Sequence, residues 1–136
     1  MILVDASVAT KWFIQERGRP EARALLERES TIGAPEFIVA EILNAAWRNS
    51  RLGRIQPDEV RAIAAAPPQR YFAQLFPFAP LAVGAGEIAL SLDHPVYDCF
   101  YLALAERERC ALITADERLY RKTRRTRFSS MVRKLA

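Results

Sequence analysis

The sequence predicts an α/β sandwich built around a mostly parallel sheet. Two observations carry that prediction. Short apolar runs at residues 2–4, 31–34 and 111–114 alternate with longer stretches of helical periodicity. One such stretch, residues 96–105, reads Val-Tyr-Asp-Cys-Phe-Tyr-Leu-Ala-Leu-Ala and holds a single charge, Asp98. The 136 residues suit one domain, 1–136, with a full core, and a hydrophobic content of 51% excludes a disordered chain. No apolar run reaches the roughly 18 residues that span a bilayer. Met1-Ile2-Leu3-Val4-Asp5 lacks a basic leader and meets a charge at once, so it reads as a strand and not as a signal peptide.

The elements follow in order. Residues 2–4 form a buried first strand ending at Asp5. Ser7 caps a helix over about residues 8–14. Glu16 to Pro20 is a charged turn, and Pro20 opens a helix whose apolar face is Ala22, Leu25 and Leu26. Glu29 and Ser30 end it. Residues 31–34 form a second strand, stopped by Pro35. Residues 37–51 form a long helix with Ile38, Ile42, Ala45 and Ala46 facing inward, and Gly53 terminates it.

Pro57-Asp58-Glu59 starts a helix that ends at Pro67-Pro68. Residues 74–78 form a third strand, and Pro77 places it at an edge. Residues 81–92 form a small-residue helix. Asp93-His94-Pro95 breaks the chain, with His94 read as a turn residue, and Pro95 opens the helix 96–107. Residues 111–114 form a strand. Asp116 starts a helix running to about Lys122, and residues 131–135 add a last strand.

Cys99 and Cys110 sit in apolar surroundings without CxxC spacing, as buried structural thiols of a reducing, cytoplasmic compartment do. The net charge of +4 favours an anionic partner, of which nucleic acid is the commonest. Residues 118–127 carry six basic side chains in ten. They read either as a solvated face or as an RNA-binding strip through Arg121, Lys122, Arg124 and Arg125, with Tyr120 as a stacking platform.

The chemistry lies in four carboxylates. Asp5 and Asp116 lie just past the ends of strands, at the carboxyl edge where sheets of this class place their sites. The helix 96–107 feeds a strand and so runs antiparallel to it, which puts Asp98 at the same edge. The helix from Phe37 follows the second strand and begins there too, with Glu41 one turn in. Two carboxylates about 4 Å apart repel by roughly 4 kcal/mol at an effective dielectric near 20. Protonation, arginine pairing or a divalent cation must resolve such a cluster. Singly, each acid has a structural reading, as a helix cap, a dipole partner or the mate of a buried arginine. Jointly they form an oxygen-only set that selects a hard ion, Mg²⁺ or Mn²⁺, and His94 is the only histidine, so nothing suggests zinc. Mg²⁺ held by carboxylates suits phosphodiester cleavage.

Four stretches resemble the PIN-domain ribonucleases, and more narrowly the VapC toxins of VapBC toxin–antitoxin systems. They are Val4-Asp5-Ala6-Ser7-Val8 with Lys11-Trp12, Glu41-Ile42-Leu43-Asn44-Ala45, residues 96–105, and Leu112-Ile113-Thr114-Ala115-Asp116. The resemblance implies a PIN-like three-layer α/β/α sandwich with a five-stranded, mostly parallel sheet. It also implies Mg²⁺- or Mn²⁺-dependent endoribonuclease activity on tRNA or rRNA. Asp5, Glu41, Asp98 and Asp116 match the family's acidic quartet as catalytic and metal-binding residues. Thr114 matches the hydroxyl beside the last acid, and Ser7 and Asn44 fall where supporting groups sit. A VapB-like antitoxin partner and a homodimer are implied as well. The basic stretch and Phe128-Ser129-Ser130 depart from the family's usual short loop into the last strand.

Three rivals stand beside this reading. One is a PIN-type nuclease of RNA processing without an antitoxin. Another is a non-catalytic RNA- or protein-binding module. The third is a phosphoaspartate receiver or phosphatase-like domain. For the last, Ala6 and Ser7 follow Asp5 where a DxD is required, and no lysine stands near Thr114.

Overall fold

The computed structural model describes residues 1–29 and 31–136. Five strands form one sheet in the order β3-β2-β1-β4-β5, with every neighbouring pair parallel. They are β1 (Ile2–Val4), β2 (Ile32–Pro35), β3 (Gln74–Phe76), β4 (Ala111–Thr114) and β5 (Val132–Lys134). The central strand is apolar on both faces because helices cover both, and Leu3 and Val4 are fully buried. Its register, Ile2 opposite both Ile32 and Ala111, brings the ends of β1 and β4 level. Asp5 and the residues after Thr114 therefore emerge side by side.

Seven α-helices connect and flank the strands: α1 (Ala6–Phe13), α2 (Arg19–Arg28), α3 (Ile38–Arg51), α4 (Pro57–Ala65), α5 (Ala82–Leu92), α6 (Val96–Glu108) and α7 (Glu117–Thr123). Two 3₁₀ turns, Pro68–Arg70 and Ala79–Leu81, were not anticipated. Helix α6 is buried through its middle. Cys99 and Tyr101 to Ala105 are all buried, as a segment apolar on every side requires. Asp93 and Arg109 take left-handed backbone conformations, φ 51° and 54°, and end α5 and α6.

Several local expectations need correction. Asp5, not Ser7, caps α1, since its side chain accepts from the Val8 N–H. The helix starts two residues earlier than expected because β1 delivers Asp5 directly to the helix N-terminus. Pro35 is itself the last residue of β2, so the strand ends at the proline and not before it. At that level Glu36 N–H donates to Phe76 O at 2.8 Å, so the proline's missing N–H leaves no carbonyl unpaired there. Helix α2 ends at Arg28 with Glu29 as its cap, and Ser30 falls outside the described residues. Strand β3 stops at Phe76 and occupies the sheet edge, as Pro77 predicts.

The last strand is parallel and in register, Leu112 opposite Val132 and Thr114 opposite Lys134. Buried Phe128 anchors the loop that leads into it. Both cysteines are free; Cys99 is buried and Cys110 half-buried. Burial and the nearby Asp98 charge push the Cys99 thiol up to about 11, which suits a packing role and not a nucleophile. Among the described residues no helix is long and apolar enough to cross a membrane.

Candidate active site

Asp5 is the most enclosed of the four acids, at 4% exposure. Its carboxylate accepts hydrogen bonds from the Ser7 and Thr114 hydroxyls and, at 3.3 Å, from the Val8 N–H. Ser7 Oγ in turn accepts from Ala115 N–H at 2.8 Å, and Thr114 Oγ1 accepts from Asp116 N–H at 3.0 Å. The loop after β1 and the loop after β4 are thus stitched together around one carboxylate. Burial pushes the Asp5 carboxyl up to about 7. The two hydroxyls and the Val8 N–H oppose that rise, and the Asp98 charge adds to it.

Glu41 stands in the first turn of α3, half-buried, and accepts from the Tyr101 phenol at 2.6 Å. Tyr101 is held by edge-to-face contact with Phe37, ring centroids 5.5 Å apart, and is 1% exposed. Burial raises the Glu41 carboxyl above the ordinary range, and Asp98 adds to that. Asp98 stands in the first turn of α6, with Oδ2 2.6 Å from His94 Nε2. Burial raises its carboxyl, His94 and Arg118 pull it down, and Asp116 pushes it up. Asp116 caps α7, accepting from the N–H groups of Arg118 and Leu119 at 2.9 and 3.2 Å.

The four acids arrive on four different elements, yet Asp98 interacts with all of the others. Its charge acts on Asp5 and Glu41, and Asp116 acts on it. They do not form a closed cage. Among the described residues no three acidic, histidine or cysteine side chains are gathered as a ready-made metal site. Each carboxylate is instead turned toward its own donor: hydroxyls, a phenol, an imidazole or a helix N-terminus.

The supporting residues divide. Ser7 and Thr114 both bond Asp5, so Thr114 serves the first acid through its side chain and the last only through the Asp116 backbone. Asn44 bonds none of the four; it is exposed and lines a groove beside Glu41. The basic stretch divides too. Lys122 Nζ donates to the Leu92 and Asp93 carbonyls, both at 3.2 Å, and so ties down the end of α5. Arg124 donates to Val132 O at 2.7 Å and lies 3.8 Å over the Tyr120 ring. Lys122 and Arg124 are therefore latches of the fold, and Tyr120 is covered on that face. Arg121 and Arg125 remain exposed.

Two residues escaped the sequence reading. His94 is buried and faces Asp98; it is not a simple turn residue. Its spacing of four residues from Asp98 was the available signal, hidden because Pro95 separates the two. Tyr101 was absorbed into the apolar run, although a buried phenol requires a partner and Tyr101 lies three residues after Asp98 on one helix face. With Asp98 ionised, His94 Nε2–H donates to it and fixes its orientation. His94→Leu should lower cleavage about 10- to 100-fold, and His94→Gln, which keeps an N–H donor, should recover part of it. Steady-state cleavage of RNA, with circular dichroism to verify folding, checks this; equal rates in all three proteins would remove His94 from the site.

Comparison with known proteins identifies the family. The PIN domain profile matches residues 2–125. Ribonuclease VapC9 of Mycobacterium tuberculosis is 33% identical over 120 residues, covering 88% of this chain and 88% of that protein. The crystal structure of PAE2754 from Pyrobaculum aerophilum superposes with a TM-score of 0.68 at 21% identity, covering 98% of this chain and 88% of that one. A toxin–antitoxin complex from Klebsiella pneumoniae gives a TM-score of 0.61 at 19% identity, covering 85% and 87%. The two structures share the fold of this chain.

Proposed function

From the premise that the chain belongs to the PIN-domain family, among its VapC ribonucleases, we infer that it is a toxin endoribonuclease of a toxin–antitoxin pair. What supports the mechanism is that Asp5, Glu41, Asp98 and Asp116 come from four elements, each carboxylate held by its own hydroxyl, phenol, imidazole or main-chain donor, and that the Asp98 charge bears on Asp5 and Glu41. Such a set has no use for packing; three of its members are held above the ordinary carboxylate range by burial and by one another. The donor set fits a hard divalent cation, Mg²⁺ or Mn²⁺. It offers only oxygen, and the one imidazole at the site already has its Nε2 committed to Asp98.

Asp5, Asp98, Asp116 and Glu41 are the residues that would hold the cation. When bound, it supplies a lowered pKa for an attacking water and positive charge for the scissile phosphate. The chain's own groups do the rest. Ser7 and Thr114 fix the Asp5 carboxylate, His94 fixes Asp98, and Tyr101 fixes Glu41, so that no oxygen must reorient as charge develops. The enclosed setting of Asp5 keeps bulk water from competing.

The partners follow from the same reading: an RNA substrate, an antitoxin that blocks the site, and a second copy in a homodimer. The cytoplasm, where RNA and free thiols coexist, is the compartment that suits it. A PIN-type nuclease without an antitoxin is the second reading, favoured only by the intact site. Purified protein should cleave single-stranded RNA with Mg²⁺ or Mn²⁺, stop with EDTA and resume with excess Mn²⁺. Cleavage that persists unchanged in EDTA would overturn the mechanism. Induced expression should arrest growth, and co-expression of the antitoxin should relieve the arrest. Full growth with soluble, RNA-cleaving protein would favour the second reading.

A further inference from the structure

The sequence directs attention to residues 118–127 as the RNA-binding strip, but the structure spends much of that charge internally. Lys122 and Arg124 bond main-chain carbonyls, and Arg127 pairs with Glu106 at 2.7 Å. Arg121 and Arg125 stay exposed there, and two further exposed arginines line a groove elsewhere. A groove of ≈ 400 Å³ opens from Ser7 and Glu41 and runs along α3, lined by Asn44, Arg48, Asn49 and Arg54 among others. Arg48 and Arg54 are exposed, and among the described residues neither side chain has an ion pair or a hydrogen bond.

The spacing is regular. Glu41, Asn44, Arg48 and Leu52 lie three or four residues apart, so they share one helix face and form a single wall. Arg48 is seven residues beyond Glu41, about 10 Å along the axis. Trp47 is 52% exposed on the flank of that wall, with the Arg51 guanidinium 5.7 Å from its ring. A cationic track starting at the acidic centre, with an aromatic surface beside it, suits a flexible polyanion whose bases can stack. An endonuclease must also hold its strand beyond the bond it cuts, and this groove leads directly away from the acids.

We propose that Arg48, on the α3 wall of the groove, and Arg54, in the turn that follows α3, bind the phosphates of single-stranded RNA on one side of the scissile bond. This rests on the ribonuclease reading above. Neither residue takes part in the chemistry. Both hold the strand in register over Asp5 and Asp98, and Trp47 gives an adjoining base a face to stack on.

The test measures binding of a fluorescein-labelled single-stranded RNA by anisotropy over a salt series, in an Asp5→Asn background so that the RNA survives. Each released phosphate contact reduces the magnitude of the slope of log K against log salt by about 0.7 for a single strand. Arg48→Ala and Arg54→Ala should each lower the slope by that amount and weaken binding about fourfold at 0.15 M salt. The double variant should lose about twice as much slope. In the active protein the same changes should raise KM on a long RNA and leave kcat nearly unchanged. A wild-type slope in the double variant overturns the proposal, as does a slope loss that appears only in Arg121→Ala or Arg125→Ala. It is also overturned if the double variant loses affinity for an antitoxin and keeps the RNA slope, because the groove would then belong to a protein partner. Failure of the ribonuclease reading looks different: the wild-type chain itself would bind RNA without cutting it.

Discussion

Asp5→Asn abolishes RNA cleavage and, in the same protein, raises stability above pH 7. The first effect should reach about a thousandfold, because the cation site contributes several kcal/mol to the transition state. The second follows from the environment of the carboxylate. Its folded pKa, about 7, lies above the ordinary aspartate value of 3.8. Between those two pH values the folded state binds more protons than the unfolded state, so stability falls as pH rises through that window. The full loss is present above pH 7 and absent below about pH 4. A rise from 3.8 to about 7 corresponds to up to about 4 kcal/mol.

Asparagine carries no charge and escapes that loss. Its amide nitrogen cannot accept from the Ser7 and Thr114 hydroxyls as a carboxylate oxygen does, so part of the gain is returned. A net gain of about 2 kcal/mol at pH 8 in EDTA, turning into a loss of similar size near pH 4, is the expected result of paired thermal melts. Identical melting curves for the two proteins across pH 4–8 would show that Asp5 is not buried as a costly anion.

Asp98→Asn has the second large effect. Asp98 is the acid whose charge acts on Asp5 and Glu41 and is acted on by Asp116, and as a proposed ligand it is expected to contribute strongly to cation binding. Removing it should cost about a thousandfold in cleavage. It should also weaken Mn²⁺ binding, read by calorimetry, by tenfold or more, because one ligand and one negative charge are gone. The fold should persist, since the asparagine carbonyl still accepts from His94 Nε2–H. Metal affinity equal to that of the wild type would remove Asp98 from the ligand set and leave Asp5, Glu41 and Asp116 to account for it.

These two residues also show how far sequence alone reaches. The alternation of apolar runs with helices determined the parallel sheet, because a strand buried on both faces must be apolar throughout. It also set the edge at which the acids emerge, because a helix feeding a parallel strand must run back along it. Asp5, Asp98 and Asp116 could therefore be placed together from topology. Glu41 followed because a lone acid one turn into an apolar helix face has no local explanation.

Only the tertiary structure decided what each acid touches. That Thr114 bonds Asp5 depends on the register of β1 with β4, and that Tyr101 bonds Glu41 depends on the packing of α6 against α3. Neither contact leaves a periodic trace in the chain. His94 looked like a turn residue because its partner lies across Pro95. The disposition of the basic residues was hidden for the same physical reason. Composition counts charges, and whether a guanidinium faces solvent, as at Arg48, or a main-chain carbonyl, as at Arg124, is settled only when distant segments meet.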